Sequence, residues 1–523
     1  SVLPAWLRHR FPALPEAVRR LRDEPCSDPA CAWCRDAHDP RGQLERWFGF
    51  PDFRAEPATA EGGSLQRAIV AAGLGHGSLL GILPTGGGKS LCYQVPALAR
   101  YRNRGALTVV ISPLRALMKD QVDGLNRRVG FELCGALYGD LTPPERGALI
   151  ERVQLGDIAV LYVAPEQFRN ASFRSLLESR EIGAWVFDEA HCLSQWGHDF
   201  RPDYLYCARF IREFGERHKL PLAPVSAVTA TAKPDVIDEI RRHFREELGL
   251  ELTLYAGGVE RDNLRFEVRA VTSASKPAQV LQLLRERLEH APGAAIVYCA
   301  KQDSTVEFAR FLDSEGWAAE AFHGGMKAPD KRSVQERFLA GELRVICATN
   351  AFGMGIDKPD VRLVIHADAP SSLEHYLQEA GRAGRDREPA DCVLLYAPED
   401  IERQFRWGAR SRLSRQDIAG ILRALRRLQQ KRDADEPVVV TAGELLRSDS
   451  LLTGFETEDA DTRVRTALAW LEKAQLVERN ENRTGVFQGR PSVGSMAEAR
   501  AQLDALDLAP RARRRWEAVL AML

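Results

Sequence analysis

Leu83-Pro84-Thr85-Gly86-Gly87-Gly88-Lys89-Ser90 is the stretch on which the reading of this 523-residue chain turns. It follows the apolar run Gly81–Leu83 and precedes the helical pattern Leu91–Ala99. Three consecutive glycines let backbone N–H groups wrap a triphosphate without Cβ clashes. The helix N-terminus behind them adds its positive end. Thr85, Gly86, Gly87, Gly88 and Lys89 then form a phosphate cradle. Lys89 would reach the β- and γ-phosphates, and the Ser90 hydroxyl would coordinate Mg2+. The consensus loop of this kind opens on glycine where this chain has Leu83. An ordinary glycine-rich turn is the plain alternative, and the strand–loop–helix order speaks against it.

Asp188-Glu189-Ala190-His191 follows the apolar run Ala184-Trp185-Val186-Phe187. Both acids therefore stand at the carboxyl end of a strand, the edge at which open α/β sheets bind ligands. Asp188 can hold Mg2+ through water, and Glu189 can orient or deprotonate the water that attacks a γ-phosphate. Alone, such a pair is more often a solvated loop start. With the glycine loop upstream it reads as an ATP-hydrolysing site.

Outward from these motifs, Gly81–Leu83, Leu107–Ser112, Ile158–Val163, Ala184–Phe187 and Ala223–Thr229 alternate with helical stretches. Ala294–Cys299, Ala318–Phe322, Arg344–Ala348, Leu363–Ala367 and Cys392–Tyr396 repeat the alternation. The pattern predicts α/β sheets of parallel strands covered on both faces. Tyr255–Pro277 reads as the linker between them. Residues 401–432 carry ten Lys or Arg against two acids, with Ile418, Ile421, Leu422, Leu425 and Leu428 at helical spacing. A strand Val438–Val440 leads to a helix opened by a Thr441/Glu444 capping box. The helix Arg463–Lys473 and a hairpin over Gln475–Phe487, turning at Asn480–Gly485, complete an order that resembles a winged helix.

The length exceeds what one core usually supports, so several domains are expected. The 45% hydrophobic and 28% charged composition is ordinary for a globular protein. A net charge of −1 gives no bulk preference for a polyanion, so nucleic-acid contacts must come from local patches. No apolar run reaches the roughly 20 residues of a membrane span, and none follows Arg8, His9 and Arg10 as in a signal peptide. A cytoplasmic protein without membrane partner is expected, nucleoid-associated in a bacterium. No Met precedes Ser1 and Leu523 falls inside a helical pattern, so a trimmed start and a continuing chain are expected as well.

Seven cysteines (Cys92, Cys134, Cys192, Cys207, Cys299, Cys347, Cys392) are scattered singly and are expected as buried small hydrophobes. The other three form Cys26-x4-Cys31-x2-Cys34-x3-His38. Three thiols and an imidazole can close a tetrahedral metal site, with zinc ahead of iron–sulfur because His is a common zinc ligand. A chance cluster is the alternative.

The motif set resembles the RecQ family of superfamily 2 helicases over residues 48 to about 400. Phe48-Gly49-Phe50, Phe53-Arg54 and Gln66 resemble its adenine-reading motif, which implies that Gln66 bonds the base edge and that ATP is preferred to GTP. More than ten residues separate Arg54 from Gln66 where the family usually has a few, which favours Gln66 over Arg54. Ser112-Pro113-Leu114, Asp120-Gln121 and Ala164-Pro165-Glu166 resemble strand-tracking motifs that grip phosphates. Thr229-Ala230-Thr231-Ala232 looks like the motif that couples hydrolysis to domain movement. Cys192 to Arg201 resembles the aromatic-rich loop of RecQ proteins, where Trp196, Phe200 and Arg201 offer stacking and charge to single-stranded bases.

Ala348 to Asp357 and Gln378 to Asp386 resemble the motifs of the second motor domain. The resemblance implies Thr349 and Asn350 on DNA, Gly355 and Asp357 on nucleotide, and Gln378, Arg382 and Arg385 at the γ-phosphoryl group, with Arg385 the finger. Arg382 and Arg385, three apart, are expected on one helix face. The implied architecture is two tandem RecA-like parallel-sheet domains, then a helical hairpin and a winged-helix-like domain. Its boundaries are 1–47 (N-terminal segment), 48–256 and 257–400 (motor domains), 401–435 (basic hairpin), 436–490 (winged helix) and 491–523 (helical tail).

The implied function is an ATP-dependent DNA helicase that moves 3′ to 5′ on single-stranded DNA and unwinds duplex. Single-stranded and tailed duplex DNA are its partners, a monomer is its working form, and ATP and Mg2+ are its cofactors; one structural Zn2+ is expected from the Cys26, Cys31, Cys34 and His38 cluster itself rather than from the resemblance. No cysteine follows Cys392, so the family's usual four-cysteine zinc site after the motor lacks ligands here. The basic stretch 401–432 is expected to form that module's hairpin without metal and to contact phosphate. A translocase that does not separate strands is the chief alternative. A scaffold with a vestigial motor is the other, and Lys89, Asp188, Glu189, Gln378 and Arg385 speak against it.

Overall fold

Runs of Val, Ile and Leu too short for helices form the strands of two sheets. In the first, β1 (Leu79–Ile82), β2 (Leu107–Ile111), β3 (Cys134–Leu137), β4 (Val160–Val163), β5 (Ile182–Asp188), β6 (Val225–Thr229) and β7 (Thr253–Ala256) lie in the order β3-β4-β2-β5-β6-β1-β7, every pair parallel. In the second, β8 (Leu264–Ala270), β9 (Ala294–Tyr298), β10 (Ala319–Phe322), β11 (Val345–Ala348), β12 (Val361–His366) and β13 (Ala390–Tyr396) lie as β10-β11-β9-β12-β13-β8, again all parallel. This computed structural model describes residues 3–11, 13–26, 28, 30–84, 86–113, 115–139, 141–194, 202–230, 233–257, 261–352, 358–411, 413–430, 438–447, 460–474, 476–479, 496–505 and 513. Residues 1–480 form one body, and residues 481–523 a second in which the helix Met496–Ala505 is described.

Alternate residues of each strand feed opposite faces. Val109, Ile111, Trp185 and Phe187 enter one core of the first sheet, while Val110 and Val186 enter another with Tyr93 and Tyr162. In the second sheet Val297, Leu363 and Ile365 face one core, and Ile296 and Val364 the other. Helices cover both faces, as the continuous apolar strands require. All seven scattered cysteines are buried.

Three strands escape the apolar pattern. β3 reads Cys-Gly-Ala-Leu, and β7 and β8 are edge strands. The stretch Tyr255–Pro277 is therefore not simply a linker: it completes β7 and contains all of β8. Arg265, Glu267 and Arg269 interrupt β8 because an edge strand keeps much of its surface in solvent.

The helix Pro398–Ser411 docks on the second sheet through a buried ion cluster. The Lys276 ammonium donates to Asp368 at 2.9 Å and to both oxygens of Asp400 at 2.8 Å, and Arg403 donates to the same two carboxylates. Beyond it, the helices Arg415–Gln429, Ala442–Arg447 and Ala460–Lys473 share a small core of Ile421, Ala424, Leu445, Val464, Ala467 and Leu471. The Thr441 capping box forms as expected, with Thr441 and Glu444 bonding each other's backbone N–H. Val438–Val440 is not a strand, having no ladder partner among the described residues. Residues 475 and 480–487 of the expected hairpin lie outside the described residues. No helix among the described residues is long and apolar enough to cross a membrane.

The helix Ala460–Lys473 returns to the first sheet's helix Pro202–His218. Arg169, 5% exposed, donates to Glu472 at 2.9 Å and to Asp203 at 3.4 Å, and lies 3.7 Å over the Tyr206 ring. Arg479 donates to Glu472 at 2.7 Å. Removing one partner of a buried ion pair costs roughly 3–5 kcal/mol. Arg169→Ala should therefore undock that helix, so that amide exchange in residues 460–473 speeds at least about tenfold while that of β2 is unchanged.

Candidate nucleotide and strand site

The strand order brings three motifs to one edge. β6 lies between β1 and β5, with Ile82 opposite Thr229 and Asp188 opposite Val228. The glycine loop leaves β1, the Asp188–Glu189 pair ends β5, and the Thr229 loop ends β6. The loop meets β6 directly, the Leu83 N–H donating to the Thr229 carbonyl at 3.1 Å.

Lys89 sits between the two acids. Its ammonium is 3.2 Å from Asp188 Oδ1 and donates to Glu189 Oε1. Burial alone would lower the Lys89 pKa, but the charges of Asp188 and Glu189 outweigh it and hold the ammonium above its ordinary value. Burial raises the Asp188 pKa, with Lys89 opposing. Glu189 adopts φ 51° and ψ 48°, a left-handed conformation that costs a non-glycine residue on the order of 1–3 kcal/mol and that clusters at functional sites. The surroundings hold it there. The Tyr204 hydroxyl donates to the Asp188 carbonyl at 2.9 Å, and the Glu189 N–H donates to Asp188 Oδ1 at 3.0 Å. His191 Nδ1 lies 3.0 Å from Thr229 Oγ1 and 3.4 Å from Glu189 Oε2, which joins the acid motif to the β6 loop.

On its other side the glycine loop is held by the segment before β1. The buried Gln66 amide donates to the Gly87 and Gly88 carbonyls at 2.9 and 3.2 Å and accepts from the Arg54 N–H at 3.1 Å. The Arg54 guanidinium donates to the Gly86 carbonyl. Both residues reach the loop despite the long spacing between them, so Arg54 belongs with Gln66. Gly86 and Gly88 have φ 79° and 72°, where a side chain would be strained. Ser90 spends no side-chain bond on capping the helix Leu91–Arg104.

The second domain meets this loop with arginine. A Cβ built on Gly86 would lie 3.6 Å from Arg385 Cγ and 3.4 Å from Arg261 Nη1. Arg382 and Arg385 do not share a helix face. The helix Leu373–Ala380 ends before them, and residues 381–386 form successive turns, with Gly384 at φ 55°. Arg382 is buried and bonded to the Tyr298 side chain, while Arg385 faces the glycine loop. Gln378 is half-buried in the helix, whose next residue Glu379 lies 3.0 Å from His366 Nε2.

Arg261 is a residue the motifs do not announce. It donates to the carbonyls of Ala383 at 2.8 Å and Gly384 at 2.7 Å, which fixes the turns that carry Arg385. Burial, together with Arg387, Arg385 and Arg54, lowers its pKa, which marks a concentration of positive charge at the loop. Its only sequence signal is a polar triplet, Arg261-Asp262-Asn263, in what reads as linker. Two ion pairs also join the domains: Lys233 to the half-buried Glu374 at 2.6 Å and Arg387 to the exposed Glu56 at 3.3 Å.

Of the expected strand-binding residues, Ser112 is buried at the end of β2 with Pro113 beside it, and Thr349 and Asn350 follow β11, Thr349 buried and Asn350 exposed. Thr85, Trp196, Phe200, Arg201, Gly355 and Asp357 lie outside the described residues. At the N-terminus, Cys26, Cys31 and Cys34 come together with their sulfurs within 4.8 Å of one another. His38 does not join them. It lies half-buried near Asp23 and His76, because the helix Ala32–Ala37 carries it past the thiols.

The DEAD/DEAH box helicase family matches residues 64–240, and the helicase conserved C-terminal domain matches residues 275–387. Among curated proteins, the chain is 36% identical to the "Probable ATP-dependent DNA helicase RecS" of Bacillus subtilis, over 74% of this chain and 73% of that protein. It is 39% identical to the "ATP-dependent DNA helicase RecQ" of Pasteurella multocida, over 68% of this chain and 52% of the relative. It is 37% identical to the "RecQ-like DNA helicase blm-1" of Caenorhabditis elegans, over 68% of this chain but 34% of the relative. The chain thus spans about half or less of the length of the last two. Among solved structures, the Mycobacterium smegmatis helicase Lhr bound to single-stranded DNA and AMP-PNP shares the fold, with a TM-score of 0.53 at 22% identity over 82% of this chain and 56% of Lhr.

If Arg261 orders the turns that carry Arg385, Arg261→Ala should lower the rate of ATP turnover by about 100-fold, the scale of losing one preorganised charge contact. The KM for ATP should move far less, and a steady-state ATPase assay reads both.

Proposed function

The chain belongs to the RecQ-like superfamily 2 helicases, which makes it an ATP-hydrolysing helicase, and we propose that it moves 3′ to 5′ along single-stranded DNA and unwinds tailed duplex as a monomer. Residues 48–256 and 257–400 act as its two motor domains. The observation that carries the reading is the approach of Arg385, from the second domain, to Gly86 in the phosphate loop of the first.

ATP would enter between them. Its phosphates would take Lys89 from Asp188 and Glu189, so binding is an exchange of anionic partners around one ammonium. Ser90 and Asp188 would hold Mg2+, which would neutralise phosphate charge. Glu189 orients the attacking water, and Arg385 stabilises the charge developing on the γ-phosphoryl group only while the domains are closed. Gln66 would give up its amide contacts on the loop to bond the adenine edge. His191 and Thr229 pass the change of charge at Glu189 to the β6 loop. Gln378, Arg382, Gly355 and Asp357 complete the second domain's side of the site.

Ser112, Pro113, Thr349 and Asn350 would grip the DNA backbone, with Trp196, Phe200 and Arg201 stacking on bases. The exposed Arg415, Arg423 and Arg426 offer a cationic face to duplex phosphates. The hairpin Gln475–Phe487 would act at the duplex junction. The protein would work where DNA lies, in the cytoplasm. Cys26, Cys31 and Cys34 would hold zinc.

Lys89→Ala and Glu189→Gln should each lower ATP turnover by about 100-fold or more while DNA affinity stays within a few fold. Full turnover in either variant would overturn the site. Wild-type protein should displace strands from 3′-tailed duplex and not from 5′-tailed or blunt duplex. Trp196→Ala should lose most of the single-strand stimulation of ATPase.

A further inference from the structure

Ten cysteines divide by environment: seven are buried among apolar side chains, and Cys26, Cys31 and Cys34 stand together at the surface. Cys31 precedes the helix Ala32–Ala37 and Cys34 lies one turn inside it, so both thiols leave the same face. A turn brings Cys26 back to them, with the Ala30 N–H donating to Asp28 Oδ1 at 2.8 Å. The Cys26 N–H donates to the Cys34 sulfur at 3.2 Å, and the Cys26 and Cys34 sulfurs are 3.3 Å apart.

These separations identify the occupant's size. Two thiolates on one tetrahedral zinc, each at about 2.3 Å, stand about 3.8 Å apart. All three sulfurs here lie within 4.8 Å of one another, which suits one shared cation. The thiolates of a four-iron cluster bind different irons, and in a two-iron cluster no more than two share an iron, so three thiolates on an iron–sulfur cluster are held apart by the cluster between them. The 3.3 Å separation also exceeds the 2.05 Å of a disulfide. Among the described residues no fourth protein ligand joins the three.

The segment on either side of the thiols grips one element. Asp23, 2% exposed, accepts from Arg104 at 2.7 Å and from Asn103 at 3.2 Å, and His76 lies 3.2 Å from it. Asp36 accepts from Arg102 at 2.7 Å. Arg102, Asn103 and Arg104 form the last turn of the helix Leu91–Arg104, which begins at the phosphate loop. The helix Ala13–Arg22 before Asp23 buries no residue, so little apolar packing holds the segment in place.

We propose that Cys26, Cys31 and Cys34 bind one divalent thiophilic cation, zinc, through three thiolates and a solvent molecule, and that this metal fixes Asp23 and Asp36 on the far end of the phosphate-loop helix. The proposal rests on reading the N-terminal thiols as a metal site, and it replaces His38 with solvent as the fourth ligand. The metal closes the turn between the two aspartates and so sets their spacing against Arg102, Asn103 and Arg104. Its binding free energy becomes folding free energy for a segment with almost no core of its own.

The test uses the full chain as purified. Elemental analysis should find one zinc per chain in the wild type and in His38→Ala, and less than a tenth of that in Cys31→Ser. Cobalt substituted for zinc should change its visible spectrum when an external thiol is added, because one position is open. Removing zinc from the wild type with a chelator should speed amide exchange at residues 100–104 at least tenfold, zinc should restore it, and Asp23→Asn should match the chelated rate with its zinc retained. Metal-free wild type, a brown chromophore or a Cys26–Cys34 disulfide found by mass spectrometry would overturn the metal reading itself. Zinc lost from His38→Ala, or a cobalt spectrum indifferent to thiol, would overturn the coordination. Unchanged exchange after chelation would overturn the coupling to the helix.

Discussion

A single buried ammonium, that of Lys89, holds the first domain's site together. Asp188 and Glu189 are adjacent carboxylates in a low-dielectric edge, and without Lys89 between them their charges would repel. Their positions follow from the sheet: only an order that sets β6 between β1 and β5 brings a lysine after one strand to two acids at the end of another. The same order puts Thr229 within reach of His191. A phosphate that draws Lys89 away thus changes the charge felt by Glu189, by His191 and by the loop after β6. The left-handed backbone at Glu189 belongs to the same constraint. It is held by Tyr204 from behind and is strained by itself, which keeps the carboxylate aimed at the loop.

Closure of the second domain is governed by charge of the opposite sign. Arg54, Arg261 and Arg385 converge near Gly86, and Arg387, Arg385 and Arg54 are close enough to Arg261 to depress its pKa. Gathering guanidinium groups is costly unless an anion lies among them. Of the pairs that join the domains, Arg387 and Glu56 are 37% and 68% exposed, a setting in which a pair contributes roughly 0–1 kcal/mol, while Lys233 is 63% exposed and its partner Glu374 only 18%.

The sequence made the site legible wherever chemistry is concentrated in consecutive residues. The glycine loop, Asp188–Glu189 and Arg385 fall where the motifs put them, and ten of the thirteen strands among the described residues announce themselves as apolar runs. What was hidden depends on neighbours distant in sequence. β8 carries Arg265, Glu267 and Arg269 because it is an edge strand, and an edge strand looks like a linker to any test of hydrophobicity. Arg261 acts through the carbonyls of Ala383 and Gly384, about 120 residues away, and no local pattern marks such a partner. Spacing misled at two places. Arg382 and Arg385, three apart, lie in turns rather than on a helix face, and His38, four residues after Cys34, is carried past the thiols. A ligand spacing fixes which residues can meet only when the backbone between them is known.

Burial separates the joints that hold from the joint that moves. The accessory helices attach to the second sheet through Lys276, Asp368 and Asp400, and to the first domain through Arg169 and Glu472, with side chains 1–12% exposed. The N-terminal segment attaches through Asp23 and Arg104, at 3% and 4%. Breaking such a pair strands a charge in a low dielectric and costs several kcal/mol, so these joints stay made through a cycle. The pairs between the motor domains are largely in water and can exchange partners at little cost. One of the buried joints, however, ties the helix Ala460–Lys473, which follows the second domain in the chain, back to the first. The chain therefore closes a loop across the cleft. Opening must be accommodated between the helix Pro398–Ser411, fixed to the second sheet, and the helices Arg415–Gln429 and Ala460–Lys473, which share a core.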